Sequence, residues 1–594
     1  MKKGQKWIAI LAGVVILGSM FADRLVGFYT DWLWFGKYGY KSVLLTILGA
    51  QFGFGLLVGG LFFLFTYVIL KLTYRETSHL PVVLSDQIRR EVPILDLIAS
   101  NLKPLVFFVP LILALMTGVV AAQQWDVILK YFERVAFNAA DPIFGKDYSF
   151  YLFTLPFLSM IKAVIWEALV VIGIGTGLIY FFKRTISIGP SGFVLLPEAR
   201  RTLSIIAGLV FLMLAFEFYL SRFNLLLEGS GVVEGINYAD NNGRLPILTV
   251  MIFLSLAGVA VSFINIFLAG LKKILLVAAA LGIFFVGGNF YPSILQKFVV
   301  APNELIKETP YIEHTIAATQ FAFGLDKVET QELTGSTSLT AEDITKNAVT
   351  IENIRLWDEE PLLDTLSQIQ EIRTYYQFAS VDNDRYYING NYQQSLLSPR
   401  ELLSSSLPNR TWINEHLTFT HGYGVSLSPV NQITTEGMPV LLVKDIPPQS
   451  SVSLKITRPE IYFGELTNDH VFVNTGTKEF DYPEGEKNVY KNYEGSGGIT
   501  IGSFLNKILF AARFKTIKIL FSQDIENESR LLMYRNITDR VQKIAPFLRL
   551  DRDPYMVITQ EGRLVWMYDA YTVSDRFPYS SQMVSGFGNY LRNS

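Results

Sequence analysis

The chain of 594 residues contains no cysteine. Disulfides, thiolate metal centres and cysteine nucleophiles are excluded together by that count. Histidine is nearly as scarce, with five residues in all. A basic low-complexity run is missing too. Residues 293–594 hold 28 Lys and Arg against 37 Asp and Glu, a net charge of −9. Such a surface has no electrostatic reason to seek a phosphate backbone, so nucleic acid is set aside as a partner. No internal repeat and no low-complexity linker divides the chain.

What the chain does have is apolar sequence, unevenly spread: half of it is hydrophobic, 14% aromatic and only 18% charged. This is too greasy for one soluble domain, and too uneven for a chain wholly buried in membrane. A helix needs about 20 apolar residues to cross the hydrocarbon. Segments 7–22, 42–70, 105–122, 163–182, 203–220, 245–270 and 274–290 approach or exceed that length. The first follows MKKGQK and lacks a small-residue cleavage site, so it reads as an uncleaved signal anchor.

With the N-terminus in the cytoplasm, the inner loops carry 14 Lys and Arg in 63 residues and the outer loops 9. This asymmetry fits the positive-inside rule, with Lys272 and Lys273 in a tight inner turn. The expected architecture is a membrane all-α bundle of about seven transmembrane helices over residues 1–292. An α+β extracytoplasmic domain then follows over residues 293–594.

Two outer loops, GFYTDWLWFGKYGY (27–40) and DYSFYLFTLPFLSM (147–160), are crowded with aromatic residues. An aromatic belt at the membrane face accounts for them, and a groove for a lipid or lipid-linked ligand is the alternative. Two carboxylates fall inside expected spans, Glu167 in VIWEALVV and Glu217 in LAFEFYL. Charge inside a span is costly and marks a functional candidate. Both lie about one turn below the outer interface, where Lys162 and Arg222 are available to neutralise them. Transporters place such groups nearer the midplane, which favours structural ion pairing over cation or proton handling.

After residue 293 the apolar period shortens. Segments 303–323, 361–376, 502–514 and 531–545 have helical spacing. Runs such as VLLV, SVSLKI, EIYF and HVFV between 377–398 and 440–490 read as strands, and 555–571 as a hairpin turning at Gln560 to Gly562. A weak boundary falls near 432–439.

His416 and His421 lie together in EHLTFTHGYGV. A zincin helix needs two histidines four apart with a glutamate between them. Here the spacing is five and Glu415 precedes both, so that signature fails and ordinary turn histidines are favoured. VDNDRYYING (381–390) and LDRDPY (550–555) each offer Asp-x-Asp, a pattern hard cations accept. From Asp382, however, the sixth and twelfth positions are Tyr387 and Gln393, which rules out an EF-hand loop. Asp382, Asp384, His416 and His421 are weak candidates for a divalent metal site, with hairpin caps as the simpler account of the aspartates. EGSGG (494–498) lacks the ending of a P-loop and reads as a turn into a strand. RLWDEEP (355–361) reads as a helix start.

The blocks DPIFGKDYSFYLFTLPF, PNELIKETPYIEHTIAATQ, NIRLWDEEPL, YYQFASVDNDRYYING, TWINEHLTFTHGYGVSLSPVN, IAPFLRLDRDPYMV and WMYDAYTVSDRFPYS are spread over residues 141–580 and carry a likeness that extends over nearly the whole chain. They resemble uncharacterised protein family 0182. The resemblance implies a large bacterial inner-membrane protein with about seven N-terminal helices and an extracytoplasmic region. It brings no activity, cofactor or catalytic residue. Members usually run several hundred residues further, so either the gene product is short or the chain is a fragment, with the 293–594 region then truncated at its C-terminal end.

The expected role is an envelope binding, scaffold or assembly component, with membrane lipids and other envelope proteins as partners. An envelope enzyme acting on a lipid-linked or cell-wall substrate is the alternative. An ion-coupled transporter using Glu167 and Glu217 ranks behind it.

Overall fold

The computed structural model describes residues 18, 22–82, 91, 93–189, 192–230, 232–267, 272–333, 335, 337–485, 487–585 and 588–590. Contacts divide the chain into two units. A helical unit comprises Thr46–Thr330 and Val573–Ser594, and a sheet-rich unit comprises Met1–Leu45 and Gln331–Thr572.

Among the described residues, six helices are long and apolar enough to cross a membrane. They fall on six of the seven expected spans; the first, at 7–22, lies almost entirely outside the described residues. Helices α1 (Lys41–Glu76) and α2 (Leu102–Gln123) touch through small residues. A Cβ on Gly59 would stand 2.7 Å from the Ala114 carbonyl oxygen, and one on Gly118 2.8 Å from that of Gly55. Small residues four apart allow this backbone contact, which must replace a hydrophobic drive that lipid does not supply.

Helix α3 (Leu155–Phe182) is entered through a π-turn at Phe150–Thr154. The aromatic segment expected as a surface loop therefore starts a helix instead. Its Tyr151 and Leu155 are fully buried against Leu220, Phe223 and Tyr579. Helices α4 (Pro197–Asn224) and α5 (Leu245–Phe267) are joined by a buried polar contact, Asn265 Nδ2 donating to Ser204 Oγ at 2.8 Å.

Helices α6 (Lys272–Leu295) and α7 (Glu304–Phe323) follow. Lys272 and Lys273 open α6, while the turn before them lies outside the described residues. The tail returns to this unit: Tyr579 donates its hydroxyl to the Ile236 carbonyl at 2.8 Å and its amide to Leu226 at 3.1 Å.

The sheet-rich unit is built on the long strand β3 (Asn391–Leu402), which pairs with β1 (Tyr376–Phe378) and β2 (Asp382–Ile388) along one edge. Its other edge pairs with β4 (Val425–Pro429), setting Leu397 opposite Leu427. All pairs are antiparallel. A second sheet places β5 (Val471–Val473) and β6 (Ile499–Thr500) on either side of β7 (Arg530–Leu532). Leu531 and Leu532 are fully buried in this central strand. The helix expected from 531 therefore starts later: α8 (Ile537–Ile544) begins where the Asn536 side chain accepts from the Thr538 and Asp539 amides.

Helix α9 (Glu359–Ile369) likewise stops short of the expected 376. Ile372 takes a left-handed φ of 65°, and the Gln370 carbonyl is held by Arg400 at 2.7 Å. The segment 555–571 forms the expected hairpin, pairing Tyr555–Ile558 with Leu564–Met567.

Residues 22–37 are helical and belong to the sheet-rich unit. Trp34 and Phe35 are core side chains there, packed with Leu417, Phe472, Phe510 and Leu531. Asp31 is held by Arg513 at 2.9 Å and Lys543 at 2.8 Å. A membrane-face belt does not describe these two rings.

Candidate functional site

Strand β8 (Glu479–Glu484) carries a bulge at Asp481, between the Phe480 and Tyr482 pairings, and Glu479 and Asp481 are both buried. Glu479 takes four hydrogen bonds. The Thr420 hydroxyl (2.7 Å) and the Tyr462 hydroxyl (2.9 Å) reach Oε2, while the Tyr493 amide (3.0 Å) and the Asn474 amide (3.3 Å) reach Oε1. A carboxylate so supplied needs no adjacent cation. The single proton of Thr420 goes to Glu479, so its oxygen accepts from His421 Nδ1 at 2.8 Å. His421 Nε2 lies 3.3 Å from Asp481 Oδ1.

Arg535 braces this network, donating to the carbonyls of Tyr462 (2.8 Å), Asp469 (3.2 Å) and Thr420 (2.6 Å). Burial lowers its guanidinium to about 10. Burial, and then the Glu479 charge, push the Tyr462 hydroxyl well above its ordinary value, so it stays a donor.

Tyr462 also lines a cleft of about 660 Å³, with Phe463 and Tyr493 as further aromatic walls. Three cations and three anions share its lining: Arg458, Lys491 and Arg563 against Glu460, Glu494 and Glu561. Lys491 pairs with Glu460 at 2.5 Å, which raises its ammonium above the usual lysine value, and Arg458 pairs with Glu494 at 2.9 Å. The Arg563 guanidinium has no partner among the described residues. The cleft suits a polar ligand of little net charge that presents some apolar surface to the tyrosine rings.

The sequence-predicted residues do not meet in one place. His416 Nδ1 bonds to the His470 carbonyl at 2.7 Å, and its ring stacks on His470 at 4.3 Å. His470 in turn stacks on Phe514 at 3.8 Å, and burial holds its imidazole well below the usual value. His421 belongs to the network above. Asp382 shares the Ser380 hydroxyl with Glu465, at 3.4 Å from each carboxylate.

Burial, aided by Asp553, raises Asp382 to about 7, and burial with Glu401 raises Glu465 to about 8. The two Asp-x-Asp segments thus each contribute one carboxylate to a common acidic patch. Asp384 turns back on its own chain, accepting from the Arg385 amide at 2.7 Å. Among the described residues, no three of His, Asp and Glu form a group that could hold a metal ion.

In the helical unit, Glu217 is met by Lys162 at 2.8 Å and by the Trp166 indole at 3.2 Å. Glu167 is met by the Thr117 hydroxyl at 2.9 Å. Arg222 does not neutralise either; its guanidinium lies over the Phe144 ring at 5.4 Å. Two carboxylates that sequence reasoning passed over are far more buried. Glu308 is 1% exposed, with Oε2 on the Tyr238 amide at 3.1 Å, and Asp240 pairs with Arg244 at 3.4 Å. The signal for the cleft network was present in EFDYPE, two acids within a largely apolar strand.

The model of Uncharacterised protein family (UPF0182) matches residues 8–594. A UPF0182 protein of Geotalea uraniireducens (strain Rf4) is 44% identical over 599 residues, covering 99% of this chain and 66% of its own length. One from Geobacter sulfurreducens is 44% identical over 613 residues, covering 100% and 66%. One from Desulforamulus reducens is 40% identical over 609 residues, covering 98% and 65%. The chain thus spans just under two thirds of the length of these curated relatives. No solved structure matches it.

Proposed function

The chain belongs to the uncharacterised protein family UPF0182. On that premise we propose that it is a multi-pass protein of the bacterial inner membrane, with its N-terminus in the cytoplasm and its sheet-rich unit outside. There it acts as a binding or assembly component of the envelope, partnered by lipids and other envelope proteins. The cleft around Tyr462 and Tyr493 receives a polar ligand. Six long apolar helices support the membrane part, and the excess of Lys and Arg in alternate loops supports the orientation.

The observation that carries a binding role is the way the polar network is sealed. Thr420 and His421 are at most 1% exposed, which supports a bracing role toward Tyr462 for this hydroxyl–imidazole–carboxylate set. An envelope enzyme would need that set open to the cleft. The Lys162–Glu217 contact at 2.8 Å supports structural ion pairing over an ion-coupled transporter.

A phosphatase fused after residue 300 tests the orientation. Activity is expected only if the fusion point lies outside the cytoplasm. A fusion that is made in full but is inactive there, with a cytoplasmic reporter active at the same point, would overturn the arrangement.

A further inference from the structure

Residues 503–522, SFLNKILFAARFKTIKILFS, carry four basic side chains, Lys507, Arg513, Lys515 and Lys518, and no Asp or Glu. They stand out in a half of the chain that is net −9. Two short helices form here, α10 (Phe504–Arg513) and α11 (Lys518–Phe521). Their inner face supplies Phe510 and Ile519 to the core that holds Trp34 and Phe35. Their outer face is left without cover: Phe504 is 70% exposed and Phe521 71%, with Leu505, Ile508 and Ile517 exposed as well. Five large apolar side chains on so short a stretch exceed the scattered exposure of an ordinary surface.

The four bases divide into two pairs. Lys507 donates to the Ile525 carbonyl at 2.7 Å. Arg513 holds Asp31 at 2.9 Å and donates to the Gly27 carbonyl at 3.1 Å. Lys515 and Lys518, on either side of Ile517, have no ion-pair or hydrogen-bond partner for their ammonium groups among the described residues. The contact with Gly27 and Asp31 fixes the patch to the helical segment 22–37. That segment has its own exposed Leu25, Phe28 and Tyr29, and it follows the apolar run 7–22 in sequence.

We propose that the outer face of α10 and α11 is a seat on the lipid bilayer. Phe504, Leu505, Ile508, Ile517 and Phe521 enter the boundary between headgroups and acyl chains, and Lys515 and Lys518 pair with the phosphates of anionic lipids. Apolar side chains flanked by free cations, with no acid among them, match the chemistry of an anionic lipid surface. Tethering to a segment that continues from an apolar run keeps that surface within reach. A protein partner for the same face would leave the two lysines without a stated counter-charge. The seat rests on the membrane anchoring proposed above, and not on which side of the membrane the unit occupies.

The cysteine-free chain permits a direct test. Leu505→Cys, Ile517→Cys and, as a control on exposed strand β2, Tyr387→Cys are each labelled with bimane. The full chain is then reconstituted in phosphatidylcholine vesicles with or without phosphatidylglycerol. Nitroxide lipids labelled near the headgroup should quench positions 505 and 517 and spare 387. Replacing Lys515 and Lys518 by Gln should reduce quenching at 517 about twofold in phosphatidylglycerol vesicles, with little change in their absence.

Labels at 505 and 517 that are no more quenched than the one at 387 would overturn the seat. So would labels shielded from water but unquenched, which would point to a protein partner. Quenching that ignores phosphatidylglycerol would remove the lipid–lysine pairing. The readout is blind to sidedness, so a failed seat and a failed orientation give different results.

Discussion

In the helical unit, Glu217 is matched by one cation, Lys162 at 2.8 Å, and both groups keep part of their surface open. At Arg400 and Glu479 of the sheet-rich unit, charge is fully enclosed and shared out. Arg400 is 0% exposed and donates to the Gln370 carbonyl (2.7 Å), the Gln370 side chain (3.1 Å) and the Tyr423 carbonyl (3.0 Å), and Glu479 draws on four donors. The helical unit has such a centre of its own, Asp141, which accepts from the Ile143, Phe144 and Lys146 amides and the Tyr151 hydroxyl, so the contrast lies between the lone Lys162–Glu217 pair and the enclosed networks. Loss of one network member should therefore cost far more than loss of the Lys162–Glu217 pair, since every partner left behind is buried and unpaired.

The largest effect is expected from Arg400→Met, which strips three buried acceptors at once. At about 1–3 kcal/mol for each buried acceptor left unpaired, a destabilisation of about 3 kcal/mol or more should appear as loss of the sheet-rich transition in thermal unfolding of the detergent-solubilised chain. A loss near 1 kcal/mol would mean that the clamp is dispensable. Next is Gly59→Leu in the helical unit. Its Cβ would press on the Ala114 carbonyl at 2.7 Å, so about 1–3 kcal/mol and a separation of α1 from α2 are expected, read by cross-linking of cysteines placed on the two helices.

Smaller again is the pH response of the acidic patch. Asp382 and Glu465 have folded-state values raised to about 7 and 8, above those of an unfolded carboxyl. Their contribution to stability is whole below about pH 4 and is lost as pH rises through 7 and 8. Asp382→Asn should therefore stabilise the chain by about 1–3 kcal/mol at pH 8.5 and leave it unchanged at pH 4, measured by denaturant midpoints. Equal effects at both pH values would deny the proton its role. Least is Lys162→Met with Glu217→Gln, which removes both charges and leaves none unpaired, so stability should change by less than about 1 kcal/mol, read by thermal unfolding of the detergent-solubilised chain.

Much of this was legible in the sequence, because hydrophobic period is a local property. The six long helices, the hairpin at 555–571 and the turn before Ile499 need only neighbours in the chain to define them. The site was less legible, because its members meet through tertiary pairing. Thr420 and Tyr462 meet at Glu479 only once β8 and the turn at 420 are folded together. His416 and His421 invite a shared role by adjacency, yet five residues and a π-turn send one ring to His470 and the other to Asp481. Trp34 and Phe35 resemble interfacial aromatics in sequence. Only the return of residues 417–531 shows that their partners are core side chains.

The most direct test of an envelope-facing binding unit uses Tyr387→Cys in the otherwise cysteine-free chain, at a side chain 74% exposed. Intact cells are treated with a membrane-impermeant maleimide. Labelling before lysis, after passage of the reagent through the outer barrier alone, is the expected result. Labelling that appears only once the inner membrane is broken would place the sheet-rich unit in the cytoplasm and contradict the account.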